Sequence, residues 1–321
     1  MSVRRLEADE LTPLLPLVAG YDFKPYRHYR TFSRQAQTAV LAAEVQSALT
    51  DPDGMVYVAG GDEATAAVVA RRLPWDSAFF GIPMARIEYL LGNDAAARET
   101  ALLACLHGLR EAGVCHASAR TDVADLVTTA MLERHGFRLM DALVTYTTRP
   151  GRMPPDTVRE MGRVRPLRDG EGPELVAIAE EAFRGFRGRF HLDPHLPQGR
   201  ADAMYGEWAR QCVSGTMADT VLVSEGKGGR LMGFLAFRRR EPVSTVGGLP
   251  VFGGGLGACR RDTPGAYAGL VRAGTLWAHH HGGLAECQTQ NYNFPTIRVY
   301  EAVGARYVRA EYTLHAWLGG D

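Results

Sequence analysis

Asn293-Phe294-Pro295-Thr296-Ile297-Arg298-Val299-Tyr300 sets a polar side chain at the mouth of a helical pattern and a phenol seven residues on, two turns along the same face. A phenol is neutral at pH 7, so one held there can protonate a leaving group and be reprotonated from solvent. The same pair also reads as an N-cap asparagine followed by a core tyrosine. Upstream, Gly253-Gly254-Gly255-Leu256-Gly257 leads through Ala258 into Arg260, Arg261, Pro264, Gly265, Ala266 and Tyr267 at a helix start. Glycines at a strand-to-helix junction let backbone N–H groups approach a phosphate, and the helix dipole favours its charge. A bulge or turn is the other meaning of such a run. A third segment, Phe183 to Pro194, carries Arg184, Arg187 and Arg189 at alternating spacing among aromatics. These arginines suit a sugar diphosphate and the aromatics a base or sugar, the alternative being a solvated loop whose phenylalanines pack inward. Glu286, on a strand pattern beside the phenol, reads as a group that orders a water or takes an ammonium proton, or as half of a salt bridge.

Other chemistries are excluded. The patterns G-x-G-x-x-G and G-x-x-x-x-G-K-S/T are both absent. Lys24 and Lys227 are the only lysines among 36 basic residues, and both look like loop residues, which leaves Schiff-base chemistry without a promising candidate. Ser77, Ser214 and Ser224 have no nucleophile-elbow context. His279-His280-His281 cannot share one helix face and read as a helix end, so no metal is expected. Cys105, Cys115, Cys212, Cys259 and Cys287 are odd in number and contain no C-x-x-C pair, which implies a reducing compartment. Basic and acidic residues are equal at 36 each, giving no global case for nucleic acid or an anionic membrane. With no apolar h-region near the start and no long apolar run, a cytoplasmic location is expected.

Two α+β units with mixed, mostly antiparallel sheets flanked by helices must hold these groups. The chain has 321 residues, 46% of them hydrophobic, enough for two cores. Arg149-Pro150-Gly151-Arg152-Met153-Pro154-Pro155 is the expected linker, giving a first domain at 1–150, a connection at 151–163 and a second domain at 164–321. In the second, helices are predicted at 172–183, 202–213, about 264–280 and about 295–303. Strands are predicted at 220–224, 231–238, 247–259, 285–289 and 307–317. The halves also repeat: at an offset of 168, Gly136 falls opposite Gly304, Glu133 opposite Glu301, Asp125 opposite Asn293 and Leu132 opposite Tyr300. Shared positions read as scaffold and differing ones as chemistry.

Together these residues resemble the GNAT superfamily of acyl-CoA N-acyltransferases, and more narrowly the bacterial dTDP-fucosamine acetyltransferases. The resemblance lies in Met204-Tyr205-x-x-Trp208, Val213-Ser214-Gly215-Thr216, Thr289-Gln290-x-x-Asn293 and Tyr300-x-x-x-Gly304-Ala305. It extends to Trp75-Asp76-Ser77-x-Phe79-Phe80-Gly81 in the first half. It implies that Tyr300 is the general acid for the CoA thiolate and that Asn293 lies along the CoA arm. Residues 258–270, with Ala258, Arg260, Arg261, Pro264, Gly265, Ala266 and Tyr267, would form the pyrophosphate loop. The loop departs from the pattern Gln/Arg-x-x-Gly-x-Gly/Ala, with Asp262 first and Tyr267 last, and a tyrosine there would crowd a backbone cradle. By the same resemblance the 183–194 loop covers the acceptor, placing Arg184, Arg187 and Arg189 in substrate binding, and Glu286, from its strand beside the phenol, is a further substrate-binding candidate. The expected reaction uses acetyl-CoA as cosubstrate and a nucleotide-linked amino sugar as acceptor, in a degenerate first half and a catalytic second, with a homodimer as a compatible assembly. The alternatives are a non-catalytic CoA- or nucleotide-sugar-binding module and an acetyltransferase of another small amine.

Overall fold

The computed structural model describes residues 2–61, 63–149, 161–263 and 265–319. Most of the expected connection, and Pro264, lie outside them. In chain order the elements are β1 (Ser2–Arg5), α1 (Leu15–Gly20), α2 (Arg34–Thr50), β2 (Gly54–Gly60), β3 (Ala64–Arg72), α3 (Pro74–Phe80), β4 (Met84–Leu91), α4 (Ala95–Glu111), β5 (His116–Asp122), α5 (Leu126–Arg134) and β6 (Arg138–Thr148). Then follow β7 (Arg163–Pro166), α6 (Gly172–Phe183), α7 (Arg189–Leu192), α8 (Gln198–Val213), β8 (Thr220–Glu225), β9 (Leu231–Arg239), β10 (Val251–Cys259), α9 (Ala266–His280), β11 (Leu284–Gln290), α10 (Phe294–Ala302) and β12 (Arg306–Trp317). Among the described residues no helix is long and apolar enough to cross a membrane.

Packing divides the chain into Met1–Asp141 with Glu311–Asp321, and Ala142–Ala310. The sequence sets a boundary near residue 150, at the meeting of the repeated halves, whereas the compact units exchange their last strands. The first unit orders its sheet β1-β2-β3-β4-β5-β12, with Glu311↔Asp122 through Trp317↔His116 antiparallel. The second orders it β6-β11-β10-β9-β8-β7, with β6 antiparallel to β11 from Thr148↔Ala285 to Leu143↔Gln290. Each sheet holds one parallel pair among antiparallel ones, β4 with β5 and β10 with β11.

Alternating side chains give each sheet two apolar faces, and helices cover both. In the first unit, Leu14, Val18, Leu41 and Val45 of the early helices pack against Val56, Val58, Ala67 and Val69, while Leu102, Leu106 and Leu109 of α4 cover Val68, Ala85 and Ile87. In the second, Leu175 and Ile178 of α6 with Ala209 of α8 cover Val221, Val223, Phe234 and Leu256. On its opposite face α9 and α10 bring Leu270, Val271 and Tyr300 against Tyr146, Phe237, Phe252 and Cys287. β10 starts four residues later than the predicted strand because Gly248 is left-handed (φ 72°) and Pro250 has no N–H to donate. The Trp75 to Gly81 motif has a local structural role: Ser77 Oγ donates to the Leu73 carbonyl and accepts from the Met84 amide, 2.6 and 2.8 Å, and Gly81 (φ 70°) closes α3.

Candidate active site

The parallel register of β10 and β11 runs only from Val251↔Leu284 to Gly254↔Cys287. Beyond it β10 stays with β9 as far as Cys259↔Gly233, and β11 stays with β6 as far as Gln290↔Leu143. A register shift between Gly254 and Gly257 bends β10 at this point, so the strands part into a wedge flanked by residues 255–259 and 288–290. The glycine run is thus a bulge, at the point where the sheet opens.

Tyr300 comes to the narrow end of that wedge from α10. It is 2% exposed, and its hydroxyl donates at 3.2 Å to the Gln288 carbonyl, just past the last residue of β11 paired with β10. Its ring packs on Tyr146, centroids 5.6 Å apart, whose own hydroxyl donates to Glu301 at 3.3 Å. Burial raises the Tyr300 phenol well above its ordinary value, so it is fully protonated at neutral pH. Asn293 occupies the N-cap position of α10 without capping it; the amide instead donates to the Thr289 hydroxyl at 2.9 Å, fixing the turn between β11 and α10.

The first unit has the same framework with other residues at the matching positions. There β4 and β5 also part after Ile87↔Ala119. Leu132, wholly buried, stands in place of Tyr300, and Asp125 caps α5 by accepting from the Thr128 amide at 3.0 Å. Arg98 of α4 donates to the Thr128 hydroxyl beside Asp125, closing the space between α4 and α5 with a buried polar bridge.

The N-terminus of α9 differs from that of α4 in a way that bears on anions. Asp94 caps α4 through the Ala97 amide at 2.8 Å and puts a carboxylate where an anion would bind. Among the described residues no side chain caps α9: its N-cap is Gly265 (φ 97°), and none of them lies within 4 Å of where its Cβ would stand. The residues present fit a bound pyrophosphate here, with Arg261 exposed beside the helix end. Arg260 is placed differently from expectation. Its guanidinium donates to Glu174, Glu181 and the Leu231 carbonyl at 3.1, 3.2 and 2.9 Å, binding the loop to α6. Asp262 pairs with Arg230 at 2.9 Å. Ala258 and Ala266 are buried and act by being small. Tyr267 does not crowd the loop as the motif comparison suggests, because its side chain turns inward past Gly257 and brings its hydroxyl to 3.4 Å from that of Tyr300.

The 183–194 segment divides into two kinds of side chain. Phe183 stacks on Tyr205 at 4.1 Å, Phe186 lies edge-on to Phe183 at 5.3 Å, and Phe190 is buried, so these aromatics belong to the core and are not free for a ligand. Arg184 and Arg187 are exposed, while the Arg189 guanidinium lies 4.3 Å over the Phe190 ring. Tyr292, in the turn before α10, donates to the Arg187 carbonyl and so ties the loop to the mouth of the wedge. Glu286 is 3% exposed and adjoins Cys287, which packs with Tyr300, so strand alternation puts Glu286 on the opposite face of the sheet. At the end of α9, His281 Nδ1 lies 2.7 Å from the Trp277 carbonyl and His279 Nε2 lies 3.1 Å from the Thr148 hydroxyl, in keeping with a helix end.

No family model matches the sequence. The spore coat polysaccharide biosynthesis protein SpsD of Bacillus subtilis (strain 168) is 25% identical over 172 residues, 53% of this chain and 56% of that protein. Among solved structures, the GCN5-related N-acetyltransferase from Sphaerobacter thermophilus superposes with a TM-score of 0.63 at 12% identity, over 99% of this chain and 96% of that one. The tandem GNAT protein from the clavulanic acid biosynthesis pathway superposes with a TM-score of 0.61 at 16% identity, over 100% and 99% of the two chains. Coverage of both chains end to end, together with the repeated splayed pair, shows that this chain has the tandem GNAT fold.

Proposed function

We propose that the chain is an acyl-CoA-dependent N-acyltransferase, using acetyl-CoA, whose acceptor is the amine of a nucleotide-linked (dTDP) amino sugar. The observation that carries the reading is the protonated phenol of Tyr300 at the narrow end of the β10–β11 wedge, where the repeated unit has Leu132. The CoA pyrophosphate lies at the uncapped start of α9 near Gly265 and Arg261, and the pantetheine arm passes Asn293 into the wedge. The parted strands supply backbone N–H groups for the oxyanion that forms on the thioester carbonyl. A neutral amine attacks that carbon, the C–S bond breaks, and Tyr300 gives its proton to the departing sulphur. The acceptor enters from the sheet face that carries Glu286, under the loop of Arg184 and Arg187, which meet its phosphates. The amino-sugar half of the proposal draws on the polysaccharide-biosynthesis name of the 25% identical relative and on those arginines.

Intact-mass and thiol-release screening of acetyl-CoA against dTDP- and UDP-linked amino sugars tests both halves. Transfer to at least one is expected, with Tyr300→Phe keeping its melting temperature and losing on the order of a hundredfold in turnover. A folded Tyr300→Phe variant with near-native turnover makes the tyrosine a packing residue. Transfer to simple amines alone removes the nucleotide sugar.

A further inference from the structure

We propose that Tyr267 is a positioning residue for Tyr300, its hydroxyl holding the negative charge that forms when Tyr300 gives up its proton. The inference rests on the acyl-transfer reading above and adds a second phenol to it. Tyr267 stands in the first turn of α9 and Tyr300 in α10, on the same face of the sheet. Their hydroxyl oxygens are 3.4 Å apart, a long contact of the kind that tightens when a reacting complex forms. Each phenol has one hydrogen to donate. Whenever the Tyr300 hydrogen is on the Gln288 carbonyl, or has left for sulphur, the hydrogen between the two oxygens is that of Tyr267. In that arrangement the bonds run from Tyr267 to Tyr300.

That direction answers a difficulty of the site. Desolvation penalises a phenolate, so a buried tyrosine alone is a weak acid. Among the described residues no cation is a resolved influence on the Tyr300 phenol: burial pushes the adjacent Cys287 thiol up to about 12, and the Tyr146 hydroxyl is directed to Glu301. When the C–S bond breaks, sulphur keeps the electron pair and takes the Tyr300 proton; the O–H bond of Tyr300 breaks and an S–H bond forms. The phenolate then accepts from Tyr267, whose O–H bond stays intact. The proton shed by the acylated nitrogen, relayed through solvent, restores Tyr300, so atoms and charge balance. In the first unit the offset of 168 puts Glu99 opposite Tyr267 and Leu132 opposite Tyr300, so both phenols are lost together.

Tyr267→Phe removes only the oxygen. It is expected to lower kcat about tenfold or more while leaving the acetyl-CoA KM unchanged, the loss of one hydrogen bond to a developing charge. A readout independent of turnover is the 19F titration of 3,5-difluorotyrosine incorporated at position 300, whose midpoint should rise when Tyr267→Phe is added. A packing role would move the melting temperature and leave both kcat and that titration in place, which overturns the proposal. An unmoved titration overturns it whatever the protein's activity. A titration that moves, in a protein that transfers no acyl group, overturns the acyl-transfer reading and leaves the phenol pair standing.

Discussion

The three arginines of the 183–194 loop present themselves differently, and their variants should separate. Arg184 and Arg187 are exposed, and the Arg187 backbone is held by Tyr292, whereas the Arg189 guanidinium is already seated over Phe190. Alanine at 187 or 184 is expected to raise the sugar-nucleotide KM about tenfold with the acetyl-CoA KM unmoved, as the loss of a charge-assisted phosphate contact requires. Alanine at 189 is expected to act on stability through lost contact with the ring. Steady-state kinetics beside melting curves distinguishes the two, and a uniform response of all three sites defeats the assignment. The spacing of Asn293 and Tyr300 was readable in the sequence because helical periodicity sets it. The direction of Tyr267 and the engagement of Arg260 were not, since both depend on partners distant in sequence: Tyr300 for the first, Glu174 and Glu181 for the second.

At the scale of elements, the start of α6 is held by a compact ion cluster. Arg165 of β7 donates to Glu171 at 2.6 and 2.8 Å and to Glu225 of β8 at 2.7 Å. Hydrogen bonds from Arg165 pull the Glu171 carboxyl down to about 2 from an ordinary 4.5. A lowered acid stabilises the fold above its unfolded value, and that contribution is lost as pH falls from about 4.5 toward 2. Between about pH 5 and pH 3 the native melting temperature should therefore fall more steeply than that of Glu171→Gln, by roughly a few degrees. Equal slopes would mean that the cluster contributes nothing to acid sensitivity. Glu225 remains in the variant, so some slope persists. Element positions were largely legible here: 172–183 is found as predicted, and α8 begins four residues before its predicted start, after Pro197. The linker composition at 149–155 marks the meeting of the halves and carries no information about which sheet a neighbouring strand joins.

For the whole molecule, the informative feature is that each sequence half ends in a strand completing the other unit. β12 alternates polar and apolar residues from Arg309 to Ala316 and β6 only from Val144 to Thr147, and nothing local in either distinguishes one sheet edge from another. Residues 1–150 made alone lack Glu311–Trp317, the partner of β5, and leave that strand with an unpaired edge. Such a fragment is expected to elute from a sizing column as aggregate without a cooperative melt; a well-behaved monomer would show that another segment takes the vacant edge. The same pairing orders events during synthesis. A chain leaving the ribosome has β5 in hand long before β12 exists, and Trp317 must find His116 about 200 residues back along the chain, a separation that makes closure slow. The unit translated first is thus the one finished last, and its open edge depends on whatever shields nascent chains until the final strand arrives.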